Sequence, residues 1–115
     1  MILEKGDKIL AAHRRLFAGD QPRFFTGEVE ETQGNVVAAT GHSWLRDVFE
    51  SRMVRKNDLR TKILSLSSGT LIVYQLPREV DLDALKLDAG IGSQMVLTDG
   101  ASFHMDVGEN IRVED

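Results

Sequence analysis

Lysine and arginine crowd one stretch of this chain. Residues 52–62 read RMVRKNDLRTK and place Arg52, Arg55, Lys56, Arg60 and Lys62 within eleven positions, although the formal net charge is −4. Side chains of this kind recruit phosphates and carboxylates whatever the partner's sequence. A second group, Arg14, Arg15, Arg23, Phe24 and Phe25, sets cations beside aromatic rings. Unstacked bases rest on such pairings in single-stranded complexes. Phe24 and Phe25 are adjacent, so on a strand they face opposite ways, and one belongs to the core. Three readings of 52–62 stand together: a solvated loop neutralised by Glu50 and Asp58, a contact with a protein or another subunit, and a contact with nucleic acid.

Other chemistries find less material. His13, His42 and His104 are far apart and lack metal-ligand spacing. His104 and Asp106 share one strand face, which gives a modest ion pair or half of a site. Asp81, Asp83, Asp88, Asp99 and Asp106 are abundant, but glycoside hydrolysis needs two carboxylates at a set separation across a cleft. Capping and solubility explain them. Ser65, Ser67 and Ser68 lack a nucleophile elbow. There is no phosphate-cradling glycine loop and no dinucleotide fingerprint. The expectation is therefore no catalytic residue, no metal and no cofactor.

The elements that must position the basic groups are short. The 115 residues suit one domain of ordinary size. Cysteine is absent, which excludes disulfides and thiolate chemistry and fits a cytoplasmic protein. No apolar run reaches the ~18 residues of a membrane-spanning helix, so no membrane association is expected. Charge is uneven: residues 1–62 are net +2 and residues 63–115 net −6. An acidic second half repels nucleic acid but attracts a basic partner, including the first half of another copy.

Gly6-Asp7, Gly19-Asp20, Gly34-Asn35, Ser68-Gly69 and Asp99-Gly100 cut the chain into strand-sized pieces. Residues 8–17 fit a helix capped by Asp7 or a strand, and the strand is preferred here. Residues 23–32 and 35–42 read as a hairpin, with Gly27 marking a bend, a bulge or a close backbone approach. Residues 43–47 continue a strand into a loop, and 48–59 read as a charged loop with one helical turn. Residues 61–67 and 70–76 form a second hairpin, which Pro77 ends. Residues 79–88 read as a short acidic helix or turn lying as a lid over the open end of the sheet. Residues 94–98 and 101–107 form a third hairpin about Asp99-Gly100, with Ala101, Phe103, Met105 and Val107 facing in. Ile111 and Val113 add an edge strand.

Two features bear on association. Residues 71–76 are apolar on both faces, with Leu71 and Val73 on one and Ile72, Tyr74 and Leu76 on the other. Such a strand is central, covered or at an interface. Trp44, the single tryptophan, closes the core or anchors an interface. Trp44, Ile72, Tyr74 and Leu76 are thus the candidate oligomer contacts.

The segments FTGEVEETQGNVV and SLSSGTLIVYQLP resemble, in layout, two hairpins of the Sm-like small β-barrel family, across about a third of the chain. The resemblance implies a strongly bent barrel, rings built through edge strands, and RNA held by loop residues. The family's first RNA loop falls on Gln33-Gly34-Asn35, which lacks its aspartate and methionine-asparagine pattern. The second falls on Ser68-Gly69-Thr70, where serine replaces the usual arginine. The chain also resembles small bacterial proteins with an RTKI…SG…Y-x-LP…VDLD layout, which implies no activity.

The expected architecture is an all-β, partly open antiparallel small barrel, Sm-like or SH3-like, with one short helix. The expected function is that of a non-enzymatic structural or interaction protein forming homo-oligomers. RNA binding through Arg14, Arg15, Arg23, Phe24, Arg52, Arg55, Lys56, Arg60 and Lys62 is the alternative reading, and an enzyme of unidentified type a further one.

Overall fold

The computed structural model describes residues 2–14, 22–47, 49, 52–89 and 95–107. It is all-β and antiparallel, with one three-residue 3-10 turn. The chain falls into two compact units, residues 1–80 and 81–115. No described helix is long and apolar enough to cross a membrane.

Among the described residues the first unit holds six strands: β1 (Lys8–His13), β2 (Arg23–Gln33), β3 (Val36–Asp47), β4 (Arg52–Arg55), β5 (Arg60–Ser65) and β6 (Leu71–Leu76). They form one sheet in the order β4-β3-β2-β1-β6, and β5 also pairs with β3. Inward residues recur with the strand period of two. Ile9 and Ala11 come from β1, Phe25 and Val29 from β2, Val37 and Ala39 from β3, and Leu64 from β5. With Leu3 they make one buried cluster, against which Leu66, Leu71 and Val73 pack. β5 and β6 lie at opposite ends of the pairing order yet supply the same cluster, so the sheet curls around it.

Residues 8–13 form a strand, as expected, because both edges of β1 are paired, to β2 and to β6. Arg14 follows the strand without joining it, and residues 15–17 lie outside the described residues, as do Ile111 and Val113. The β2–β3 turn places Gly34 at φ +58°. Gly27 marks a close approach: it pairs directly with Gly41. A methyl group on Gly41 would stand 1.9 Å from Thr26 O and 2.5 Å from Gly27 Cα. The register slip lies two residues on, between Val29 and Glu31.

The loop expected over 48–59 is corrected at its centre, where Arg52–Arg55 is β4. The cause is a length mismatch. β3 has twelve residues and β5 covers only Val36 to Gly41, so the last residues of β3 offer a free edge that β4 occupies, Trp44 opposite Arg55 and Asp47 opposite Arg52. Backbone pairing overrides an undistinguished side-chain pattern here.

The chain start is fastened to the segment after Pro77. Asp7, buried, accepts from Glu4 N (2.8 Å) and from Arg78 Nε (2.9 Å). Arg78 Nη2 also donates to Lys5 O, and Lys8 Nζ to Val80 O. The Glu4 amide, then the Arg78 guanidinium, hold the Asp7 carboxyl below its ordinary range, against the opposing effect of burial.

The second unit contains the 3-10 turn Leu82–Ala84, β7 (Lys86–Ala89), β8 (Met95–Thr98) and β9 (His104–Asp106), with β8 central. The expected short helix over 79–88 is thus a single turn followed by a strand. Asp81 caps the turn through Asp83 N, and from Leu85 onward apolar residues alternate, so pairing with β8 takes the segment. Leu87, Leu97 and Met105 stand opposite one another across the three strands. The Asp99-Gly100 turn is longer than a two-residue hairpin. Residues 99–103 form the loop, in which Asp99 Oδ1 accepts from Ala101 N and Phe103 N. Ala101 is therefore exposed rather than inward, while Val107 is buried and Phe103 and Met105 half-buried.

Candidate functional site

The inward-facing rows of the first unit change character at one end. β1 reads Ile9, Ala11, His13; β2, in reverse, reads Val29, Gly27, Phe25, Arg23; β5, in reverse, reads Leu64, Lys62, Arg60. Pairing keeps these rows on one face: Ala11 lies opposite Phe25, Phe25 opposite Ser43, Lys62 opposite Ala39 and Arg60 opposite Gly41. The face that builds the apolar core thus continues into cations. There a cleft of about 250 Å³ is lined by His13, Arg23, Phe24, Ser43, Leu45, Lys56, Arg60 and Lys62.

Each group is held by its strand. Lys62 is half-buried, its Nζ 5.0 Å from the centroid of the Phe25 ring, a cation–π distance. Lys56 is fixed through its backbone, its N–H donating to Ser43 O at 2.9 Å and its carbonyl accepting from His42 Nδ1 at 3.0 Å. Arg60 Nε donates to Asp58 at 2.6 Å in an exposed pair. That carboxylate does not line the cleft, and no other acidic side chain among the described residues does.

The groups repel one another. Desolvation, then Arg23 and Arg60, push the Lys62 ammonium below its ordinary pKa. Desolvation, then Arg23 and Lys62, do the same to His13. Burial is the larger cause of both shifts, and the neighbouring cations add to it. Chemically, the cleft can accept negative charge, with Leu45, opposite Arg23, offering apolar surface.

Of the basic and aromatic residues singled out in the sequence, Arg23, Phe24, Lys56, Arg60 and Lys62 meet here. Arg14 does not: its Nη1 donates to Gly69 O at 3.1 Å, at the tip of the β5–β6 connection. Arg52 and Arg55 lie on β4 outside the cleft lining. Arg15 lies outside the described residues. His13, Ser43 and Leu45 escaped sequence reasoning. The available signal for His13 was its place two residues after Ala11 on the inward row.

The candidate oligomer contacts separate. Trp44 is buried, and its Nε1 donates to Thr26 Oγ1 at 2.9 Å. Leu76 is buried and Tyr74 half-buried, whereas Ile72 is 43% exposed. On β5, Ile63 is 69% exposed. His104 is exposed, with Nε2 3.1 Å from Ala101 O. Among the described residues no three His, Cys, Asp or Glu side chains converge as metal ligands.

No known protein family matches the chain, and neither a curated protein nor a solved structure matches it significantly.

Proposed function

We propose that this chain is a non-enzymatic interaction protein that self-associates, the basic cleft of one copy taking the acidic second unit of another. The observation that carries the reading is a division of charge. Residues 1–80 hold twelve Lys/Arg against ten Asp/Glu, net +2, and residues 81–115 hold two against eight, net −6. Asp81, Asp83, Asp88 and Asp106 are exposed on the second unit. Opposite potentials on separate surfaces favour a head-to-tail contact over a two-fold one. Exposed Ile63 and Ile72 lie on β5 and β6, each with one sheet neighbour among the described residues, and leave apolar area on those edge strands.

The architecture we attach to this reading is a partly open small barrel, supported by the curled sheet and by the core that β5 and β6 share. A cytoplasmic setting belongs to the same reading and rests on the absence of cysteine.

Light scattering across the micromolar range at two salt concentrations tests it. Oligomers at low salt that dissociate as salt rises are expected. A monomer throughout at low salt overturns it. RNA is the competing occupant, favoured by Arg23 beside Phe24 at the cleft. A filter-binding titration with mixed single-stranded RNA separates the two, because RNA binding weakens steeply with salt while leaving the protein monomeric.

A further inference from the structure

We infer that the cleft between β1, β2 and β5 is a binding site for a phosphate monoester, its dianionic head held by Arg23, Arg60 and Lys62 and its organic part laid against Leu45. Charge argues first. Arg23, Arg60 and Lys62 line one opening together with Lys56, and no carboxylate among the described residues lines it. Among the described residues Asp58 pairs with Arg60 and also attracts Lys56, while Arg23 and Lys62 form no ion pair. Lys62 is half-buried on the core face and the exposed Arg23 and Arg60 crowd it, a repulsion that a bound anion relieves. A dianion relieves it more fully than a monoanionic carboxylate or phosphodiester.

Shape argues second. About 250 Å³ accommodates a phosphate with a small ring. The guanidinium of Arg23 and that of Arg60 are suited to paired hydrogen bonds with phosphate oxygens. The Lys62 ammonium is fixed over Phe25 and reaches the same space. His13 also lines the opening, faced by Arg23 and Lys62. An anion seated beside it favours its protonated form, so binding and protonation of His13 reinforce one another.

The proposed self-association uses the same cleft, so phosphate and the acidic unit of another copy would compete for it. Calorimetric and NMR titrations of the full chain, at concentrations where light scattering reports its assembly state, use inorganic phosphate, phenyl phosphate and dimethyl phosphate at matched ionic strength. Phosphate and phenyl phosphate are expected to bind, the phenyl ester more tightly, and dimethyl phosphate weakly. The His13 pKa rises on binding. Lys62→Met and, separately, the exposed Arg60→Gln each weaken phenyl phosphate about tenfold or more. Arg14→Gln, outside the cleft, leaves it unchanged. Circular dichroism shows that each variant is folded, and Arg60→Gln decides the matter if Lys62→Met is not. Equal binding of the diester, no binding of phosphate beyond chloride, or an unaffected Arg60→Gln overturns the site. A monomer that binds phosphate keeps this inference and refutes self-association; an oligomer indifferent to phosphate does the reverse.

Discussion

Lys62 Nζ stands 5.0 Å from the centre of the Phe25 ring. Phe25 is fully buried and Lys62 half-buried, so the ring caps the core and the ammonium caps the ring. The lysine gains a cation–π contact and loses hydration, while Arg23 and Arg60 repel it. These effects oppose one another. Lys62→Met should change stability by less than about 1 kcal/mol in a urea melt. It should also raise the His13 pKa toward its ordinary value, read by NMR. A loss of several times that stability refutes the balance.

His13 gives a pH dependence of defined sign. Its folded pKa lies below the usual value of about 6.5, because of desolvation and then Arg23 and Lys62. Between the two values the unfolded chain binds more protons than the folded one, so stability rises with pH across that window. Denaturant midpoints should therefore fall as pH drops from 7 toward 5, and His13→Gln should flatten that part of the curve.

Asp7 acts at lower pH. Its folded pKa is depressed by the Glu4 amide and the Arg78 guanidinium. The stability it provides is complete above its ordinary carboxylate value and is lost as pH falls through the folded one. Asp7→Asn should lower the thermal midpoint at pH 7 and remove most of the difference between variant and parent in strong acid. Arg78→Gln should show a smaller drop in the same direction.

Gly41 should be irreplaceable. Its alanine methyl would meet Thr26 O at 1.9 Å and Gly27 Cα at 2.5 Å, both backbone atoms that cannot swing aside. Gly41→Ala is expected to cost about 3 kcal/mol or more, at the upper end of overpacking effects. Gly34→Ala meets no atom within 4 Å and is strained only by φ +58°, for about 1 kcal/mol. Chemical denaturation of the two variants ranks them, and the reverse order contradicts the close-approach reading.

Trp44 and Thr26 should behave as a pair. Thr26→Val leaves the buried indole N–H without its acceptor, which costs about 1–3 kcal/mol. Trp44→Phe combined with Thr26→Val should lose less than the two single changes together, by about 1 kcal/mol. Additive losses in the double-mutant cycle would show that the hydrogen bond contributes nothing.

The sequence by itself determined local structure wherever pattern and punctuation agreed. Val36–Ala39 and Leu71–Leu76 are β-branched and apolar runs bounded by glycine turns, and both are strands. Alternation over Phe103, Met105 and Val107 located the inward side of the last hairpin, although a five-residue loop displaced Ala101. Local pattern was silent on β4, which exists because the end of β3 had an open edge, and it left a short acidic helix open where pairing with β8 makes β7. The basic site divided in the same way. Lysine and arginine within 52–62 announced an affinity for anions, but counting them gave Arg52 and Arg55 the same weight as Arg60 and Lys62. Only the curl of the sheet decided which of them meet, because it brings Arg23 and His13, 39 and 49 positions before Lys62 in the chain, to the same end of one core. Charge is a property of residues read one at a time, whereas convergence depends on strand register, and register is set by pairings that no single segment encodes.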